Sequence, residues 1–412
     1  MYGWLTGPLG LRGLGRRQDV DNRAAVLALF GRFVDELASG LLIVLMPTLQ
    51  ARLGLSVTQV GWLLQALDGA AAVVEPIMAA ASDVVRRRPL LVIGALGWPA
   101  ALLLSAGAPS YAWLVGAFLV VGVTSGALAL TTDVLLVEMH PGAEERVGAR
   151  QTMLDTVGAL LAPAAVAATT WGGGDTRIPL VVAGVALLGY ALLLASTAMP
   201  DPPPPVVAGD RTQPVRRALR QIVGNTGLVL RSREVRPWLL ALFGETLMAV
   251  PALFVPVWLA GDVGASQGAV AVHVGVELAA SLVGLALVDR WLQRWDARAI
   301  LTTAAVAALV AYPVWLLAPG ITARIVLVVP LTLATTPVWP LARARALAAV
   351  PGRGGAALGV TSLFGALPLT ALVGWLGDLV GLAPVMLVMH TTATLLILLT
   401  LRRRSPTPAP TA

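Results

Sequence analysis

Residues 58–108 read TQVGWLLQALDGAAAVVEPIMAAASDVVRRRPLLVIGALGWPAALLLSAGA. Two apolar runs, 58–82 and 89–108, flank a turn that holds Asp83, Arg86, Arg87 and Arg88. Each run is about the 20 residues that a helix needs to cross a hydrocarbon layer. Lipid offers no partner to open backbone groups, so such a run crosses as a helix. Two spans joined by a turn of arginines make a hairpin whose turn faces the cytosol, the side on which basic residues accumulate.

The same unit recurs in both directions along the chain. Spans are expected at 25–48, 58–82, 89–108, 111–138, 147–170, 178–199, 236–259, 266–289, 298–318, 321–342, 355–377 and 380–401. An even number of spans puts both ends on one side. Of the 29 basic residues, all arginine, 25 fall in the segments of that side. Only Arg52, Arg177 and Arg324 fall on the other, and Arg32 lies inside the first span. The bias places both termini in the cytosol.

Composition agrees with this. Hydrophobic residues make up 57% of the 412 and charged residues 12%, about half the charge of a soluble domain. Mean hydropathy is +0.81 and the isoelectric point is near 11.0. That basicity sits in turns beside spans, so membrane topology accounts for it and nucleic acid is not an expected partner. The absence of cysteine excludes disulfides and thiolate metal sites. With three histidines in the chain, neither a metal nor a cofactor is expected. No G-x-x-x-x-G-K-[ST] phosphate loop occurs, so this chain carries no recognisable ATP-driven motor.

The longest loop opens with Pro200-Asp201-Pro202-Pro203-Pro204-Pro205, which cannot continue a helix. It divides the chain into a cytosolic leader (1–24), a six-helix bundle (25–199), a central loop (200–235), a second bundle (236–401) and a tail (402–412). The bundles open alike, with Ala28-Leu29-Phe30-Gly31 and Ala241-Leu242-Phe243-Gly244. Each has an acid in the turn after its second span, Asp83 and the Asp289-Arg290 pair. The expected fold is an all-α membrane protein of 12 transmembrane helices in two parallel six-helix pseudo-repeats.

Residues 79–88, Ala-Ala-Ala-Ser-Asp-Val-Val-Arg-Arg-Arg, are similar to the signature G-x-x-x-D-R-x-G-R-R of the major facilitator superfamily, with Asp83, Arg87 and Arg88 matching. Gly122-x-x-x-Gly126 allows close helix approach. His140-Pro141-Gly142-Ala143-Glu144-Glu145-Arg146 resembles a cytosolic turn of the same family. Gly158-Ala159-Leu160-Leu161-Ala162-Pro163 resembles the fifth-span motif of its drug:proton antiporters, and Gly365-Ala366-Leu367-Pro368 stands at the matching place in span 11. The arginine that proton-coupled members often carry in span 4 has no counterpart in Ala117-Phe118-Leu119-Val120. The resemblance covers the whole chain. It implies a secondary transporter in a bacterial cytoplasmic membrane, monomeric, with a small molecule and protons as its partners.

Ionisable groups at membrane depth are costly and so mark function. Arg32, Asp35 and Glu36 lie in span 1, Asp68 and Glu75 in span 2, Asp133 and Glu138 in span 4, and Asp155 in span 5. Glu245 lies in span 7 and His273 with Glu277 in span 8, whereas spans 3, 6 and 9 have none. Asp35, Asp68, Glu245 and Glu277 fall near the midplane, about 10 residues from a span end at 1.5 Å per residue. Arg32 is expected to neutralise Asp35 or Glu36 along its own helix. An acid buried without a base can carry a proton near neutral pH. The candidates for substrate binding or proton coupling are Arg32, Asp35, Glu36, Asp68, Glu75, Asp155, Glu245, His273 and Glu277. Asp83, Arg86, Arg87, Arg88, Asp133, Glu138, Asp289 and Arg290 are candidates for a cytosolic gate, with Asp133 or Glu138 pairing to Arg86 or Arg87. His390, on a peripheral span, is read as incidental. Trp62, Trp98, Trp113 and Trp171 are read as interface anchors.

Proton-driven efflux of a small organic molecule is the expected function. The alternatives are metabolite uptake, with Arg32 gripping a carboxylate or phosphate, and translocation of a lipid or other amphiphile.

Overall fold

The computed structural model describes residues 18–82, 86–139, 144–199, 227, 229–349, 360–361 and 363–402. These are almost wholly helical. The N-terminal group comprises α1 (Gln18–Val44), α2 (Met46–Leu53), α3 (Val57–Ser82), α4 (Arg87–Ala106), α5 (Tyr111–Met139), α6 (Glu144–Trp171) and α7 (Arg177–Ser196). The C-terminal group comprises α8 (Arg236–Ala252), α9 (Val255–Gly261), α10 (Gln267–Leu292), α11 (Ala297–Leu316), α12 (Gly320–Thr335), α13 (Val338–Ala348), α14 (Leu369–Val380) and α15 (Leu382–Arg402).

Among the described residues, eleven helical stretches are long and apolar enough to cross a membrane. The first expected span is not one of them. At 27 residues α1 has the length, but Arg32, Asp35 and Glu36 hold down its hydropathy. Several expected spans are broken helices. Pro47 opens α2, Pro251 and Pro256 separate α8 from α9, and Pro337 separates α12 from α13. In span 11 the helix stops at Gly365 and resumes after Pro368. Proline has no N–H for the preceding turn and clashes with its carbonyl, so each break has a local cause.

Within the N-terminal group α3 and α4 pack on α5, α1 on α6 and α4 on α7. Within the C-terminal group α8 packs on α15, α10 on α12, and α11 on α12 and α15. Small residues set the closest approaches. A Cβ at Gly122 would meet the Leu67 carbonyl oxygen of α3, and one at Gly158 the Phe33 carbonyl oxygen of α1. Gly126 lies against Glu75 in the same α3–α5 seam.

The two groups join through α3 with α14, α6 with α10, and α2 with α9. All three contacts run toward the end that carries the turns 54–56, 107–110, 172–176, 262–266, 317–319 and 381, called here the closed end. These turns are short, and Gly54, Gly173, Gly264, Gly320 and Gly381 there adopt positive φ, open to glycine without a Cβ clash. The three arginines of this end are anchored. Arg52 donates to Ser105 O at 2.8 Å and Ala106 O at 3.0 Å, at the C-terminus of α4. Arg324 donates to Leu316 O at 3.0 Å, at the C-terminus of α11. Both satisfy carbonyls that a helix end leaves without partners. Arg177 lies 4.0 Å from Asp175.

Candidate functional site

The interior charges lie on five helices, of which α1, α3, α6 and α10 make contacts between the two groups and α8 packs within its own. Arg32, Asp35, Glu36, Asp68, Glu75, Asp155, Glu245 and Glu277 are half-buried on α1, α3, α6, α8 and α10. Their side chains are neither sealed in packing nor fully exposed.

Arg32 does not neutralise its own helix. Its Nε donates to Asp155 Oδ1 at 3.0 Å and a terminal nitrogen donates to Oδ2 at 2.9 Å. This fork-to-fork pair between α1 and α6 corrects the expected pairing with Asp35 or Glu36. A neighbour three or four residues along a helix is close, but a carboxylate facing the guanidinium across a helix seam accepts two parallel bonds. Asp35 takes a different donor, Trp98 Nε1 at 2.6 Å. Trp98 is 2% exposed and so is no interface anchor, which corrects that expectation. Trp62, Trp113 and Trp171 are exposed, and Trp113 donates to Leu104 O at 3.0 Å.

Asp133 accepts from Gln151 Nε2 at 2.7 Å and lies within electrostatic reach of Arg32 and Arg343. In this conformation Asp133 is not the partner of Arg86 or Arg87; the other acid of that expectation, Glu138, has its side chain outside the described residues. Arg87 is buried and has a partner within the chain, while Arg86 and Arg88 are exposed. Arg88 donates to the Ala195 carbonyl. Arg290 is exposed near the end of α10. Asp83 and the side chains of Glu138 and Asp289 lie outside the described residues, so the rest of the expected gate does not enter the structural account.

In the C-terminal group His273 is fully buried. Its Nε2 accepts from Trp315 Nε1 at 3.2 Å. The neutral ring then carries its proton on Nδ1, which faces Glu277 Oε2 at 4.0 Å. Glu277 keeps a side chain 38% exposed. The indole thus fixes the histidine tautomer, and the histidine presents a proton toward the acid. Behind this pair Trp258, Trp315 and Tyr312 pack ring to ring, and Arg324 lies 4.9 Å over the Trp258 ring. His390 stacks on Tyr312 at 3.7 Å and 6°, so it is a core residue of the α11–α15 seam. Its place on a peripheral helix did not reveal this.

Asp68 and Gly365 face each other across the groups, with Gln65 Nε2 donating to Gly365 O at 3.2 Å. Thr370 Oγ1 donates to Gln65 Oε1 at 2.7 Å. Pro163 of α6 packs beside Gly275 of α10. Nearer the closed end, Thr48 Oγ1 donates to Gln267 Oε1 at 3.1 Å, and Gln267 Nε2 donates to Val44 O at 2.6 Å. Asp378, near the end of α14, accepts from the backbone N–H of Val57 at 3.0 Å and of Thr58 at 2.8 Å. It caps α3, where four N–H groups lack helical partners and the dipole favours negative charge. Spacing alone does not mark Asp378, because its partner is the start of a distant helix. Trp98, Gln65 and Gln151 are likewise invisible to it. Among the described residues no group of three or more His, Cys, Asp or Glu is placed to hold a metal ion.

Comparison with known proteins follows the same lines. The family model of the Major Facilitator Superfamily matches residues 28–369. A search of the curated proteins finds no match. Among solved structures the fold is similar to a bacterial homologue of the human lysosomal transporter Spinster, inward-facing and unoccupied, with TM-score 0.73 and 16% identity over 95% of this chain and 100% of that one. It is also similar to the nucleoside transporter NupG (D323A mutant), with TM-score 0.72 and 12% identity over 92% and 98% of the two chains. The xylose transporter XylE from E. coli gives TM-score 0.67 and 14% identity over 92% and 98%. At these identities the likeness concerns the fold. A family match over most of the chain, on a polytopic helical frame, makes this multi-pass membrane protein a transporter and not an enzyme, and it belongs to the Major Facilitator Superfamily.

Proposed function

We propose that the chain is a secondary active transporter of twelve spans, with both termini in the cytosol, that exports a small organic molecule in exchange for protons. The two helix groups form its six-helix units, 25–199 and 236–401, and its substrate site lies between them at the depth of Asp35, Asp68, Glu245 and Glu277. One observation carries the reading: half-buried acids lie on α1, α3, α6, α8 and α10, and of these helices α1, α3, α6 and α10 pack across the seam between the groups. Against these acids stand Arg32, already gripped by Asp155, and His273, held by Trp315. A wall with this excess of carboxylates suits a neutral or cationic substrate and supplies groups that can take up and release protons.

The same geometry counts against uptake of an anion through Arg32. A guanidinium bonded twice to a carboxylate of its own protein has to give up that pair before it can grip another. Fold neighbours carry nucleosides or xylose, so the fold leaves the choice of substrate to the site.

The groups are bonded at the closed end, away from the arginine-rich turns. This supports a resting state open to the cytosol, with the closed end facing outward. Transport then requires the bonds of Gln65, Gln267 and Asp378 to break and equivalent contacts to form at the cytosolic end.

The test uses purified protein in liposomes with a trapped pH dye, screened with amphiphilic cations, sugars and organic acids under an imposed proton gradient. Substrate-dependent proton movement is expected, and Glu245→Gln, Glu277→Gln or Asp68→Asn should abolish it for the coupling acid while the protein stays folded. Substrate movement without proton flux, with all three variants behaving as the parent, would remove proton coupling.

A further inference from the structure

Asp133 on α5 and Arg343 on α13 belong to different helix groups, and both are half-buried. Their helices run away from the closed end, toward the opposite end of the molecule. Asp133 stands six residues before Met139, where α5 stops, and Arg343 five before Ala348, where α13 stops. At 1.5 Å per residue these are about 9 and 8 Å from their helix ends, so the two charges lie at similar depth. Of the arginines whose charge acts on Asp133, Arg32 is of its own group and Arg343 alone is of the other.

Neither side chain has a partner of full strength. Asp133 accepts from Gln151 Nε2, a neutral amide, at 2.7 Å. Arg32 is forked onto Asp155 and is not free to bond Asp133. Arg343 lies 5.8 Å over the ring of Trp339, one turn back on its own helix, and among the described residues no carboxylate is bonded to it. A hydrogen bond between opposite charges is about twice as strong as one between neutral groups. Each side chain thus rests on a contact that it can exchange for a better one. Neither α5 nor α13 packs against the other group in this conformation.

The segment that carries Arg343 can tilt. α13 packs on α8, and proline parts each from the closed-end half of its span, Pro337 for α13 and Pro251 with Pro256 for α8. A proline leaves a carbonyl of the preceding turn without its N–H, so such a joint bends readily.

We infer that Asp133 and Arg343 close into the ion pair that latches this end while the closed end is parted. The inference rests on the alternating-access reading above, and it assigns a contact to replace the bonds of Gln65, Gln267 and Asp378. It gives Asp133 a partner across the groups in place of Arg86 or Arg87.

The experiment places Ala371→Cys in the full chain, which has no cysteine of its own. Ala371 is buried where α3 and α14 meet, so a thiol there reacts only when the closed end parts. Labelling by a polar maleimide is followed in neutral detergent, where both ends are reachable and sidedness does not enter. Asp133→Asn, Arg343→Gln and the two together are compared with the parent. Asparagine can still accept from Gln151 and glutamine keeps an aliphatic stem against Trp339, so all three should unfold near the parental temperature. Loss of the pair should lower the labelling rate about fivefold in each single variant. The double variant should lose no more than either single, because one contact is removed in all three. Arg345→Gln, which removes an exposed charge of the same helix, should label as the parent does.

Single variants that label at the parental rate would overturn the latch. So would a double variant whose loss is the product of the two single losses, since the residues then act independently. An Arg345→Gln loss as large as that of Arg343→Gln would assign the effect to diffuse charge and overturn it as well. A parent that never labels at Ala371 would remove the opening of the closed end, and alternating access with it. Variants that match a labelling parent would remove the latch alone and leave the transport reading standing.

Discussion

Arg32 and Asp155 show how a single contact determines what a charged residue can do. Their side chains are only 19% and 20% exposed, so removing one partner leaves the other charged in a poor environment. Arg32→Ala or Asp155→Ala is expected to destabilise the protein by on the order of 3 kcal/mol, and the double variant by much less than the sum. Thermal unfolding of the four proteins in one detergent measures this. A double variant whose loss equals the sum of the singles would show the pair to be uncoupled. His273 makes the complementary case. With Nε2 occupied by Trp315, only Nδ1 can serve Glu277. Trp315→Phe frees the tautomer and is expected to slow substrate-dependent proton movement several-fold, measured in the liposome assay, and to lower the unfolding temperature as well, because the smaller ring leaves a cavity in a fully buried site. An unchanged rate would confine His273 to a packing role.

At the scale of elements, the seam between α3 and α14 is built on small residues and one carboxylate. A Cβ at Gly61 would lie 2.6 Å from Thr370 O and 3.1 Å from Gly374 Cα, so the two helices touch backbone to backbone. Asp378 then closes the end of α3. A carboxylate at a helix N-terminus contributes about 0.3–1 kcal/mol, more where partly buried, and here it spans the two helix groups. Asp378→Asn should therefore favour the outward-open state. The chain has no cysteine, so one introduced at Ala371, buried in this seam, reports opening without background. Labelling by a membrane-impermeant thiol reagent from outside is expected to rise several-fold in Asp378→Asn, and an unchanged rate would leave the cap without a gating role. Gly158→Leu tests the α1–α6 seam. Its side chain has no room against the Phe33 carbonyl, and overpacking should cost at least 1–3 kcal/mol, seen as a lower unfolding temperature.

At the scale of the whole molecule, the prediction is that the closed end must part once in each cycle. Thr48 and Gln267 bond across it at 3.1 Å. Thr48→Cys with Gln267→Cys, joined by a short bifunctional thiol reagent, should stop transport, while each single variant treated alike continues. Transport at the parental rate by the joined protein would show that the groups need not separate there.

Periodic apolar runs and the side on which arginine falls were sufficient to read a polytopic helical membrane protein and the helices its charges avoid. Those properties are summed over 20 or more residues, and a hydrocarbon layer demands them of the chain wherever each helix goes next. Gly122 stood out by its spacing from Gly126 and Gly158 only by the resemblance of its segment to a family motif; the backbone atoms each lies against belong to distant helices. Partnership was not legible. Arg32 stands three residues from Asp35 in sequence yet is bonded to Asp155, 123 positions away. Trp98 left the interface for Asp35, His390 joined a core, and Asp378 found the start of α3. Each of these outcomes depends on which faces of distant helices meet, and hydrogen bonds and ion pairs act only over a few ångströms. Which charges stand together was therefore decided by the tertiary packing, after sequence had decided that they would stand in the membrane at all.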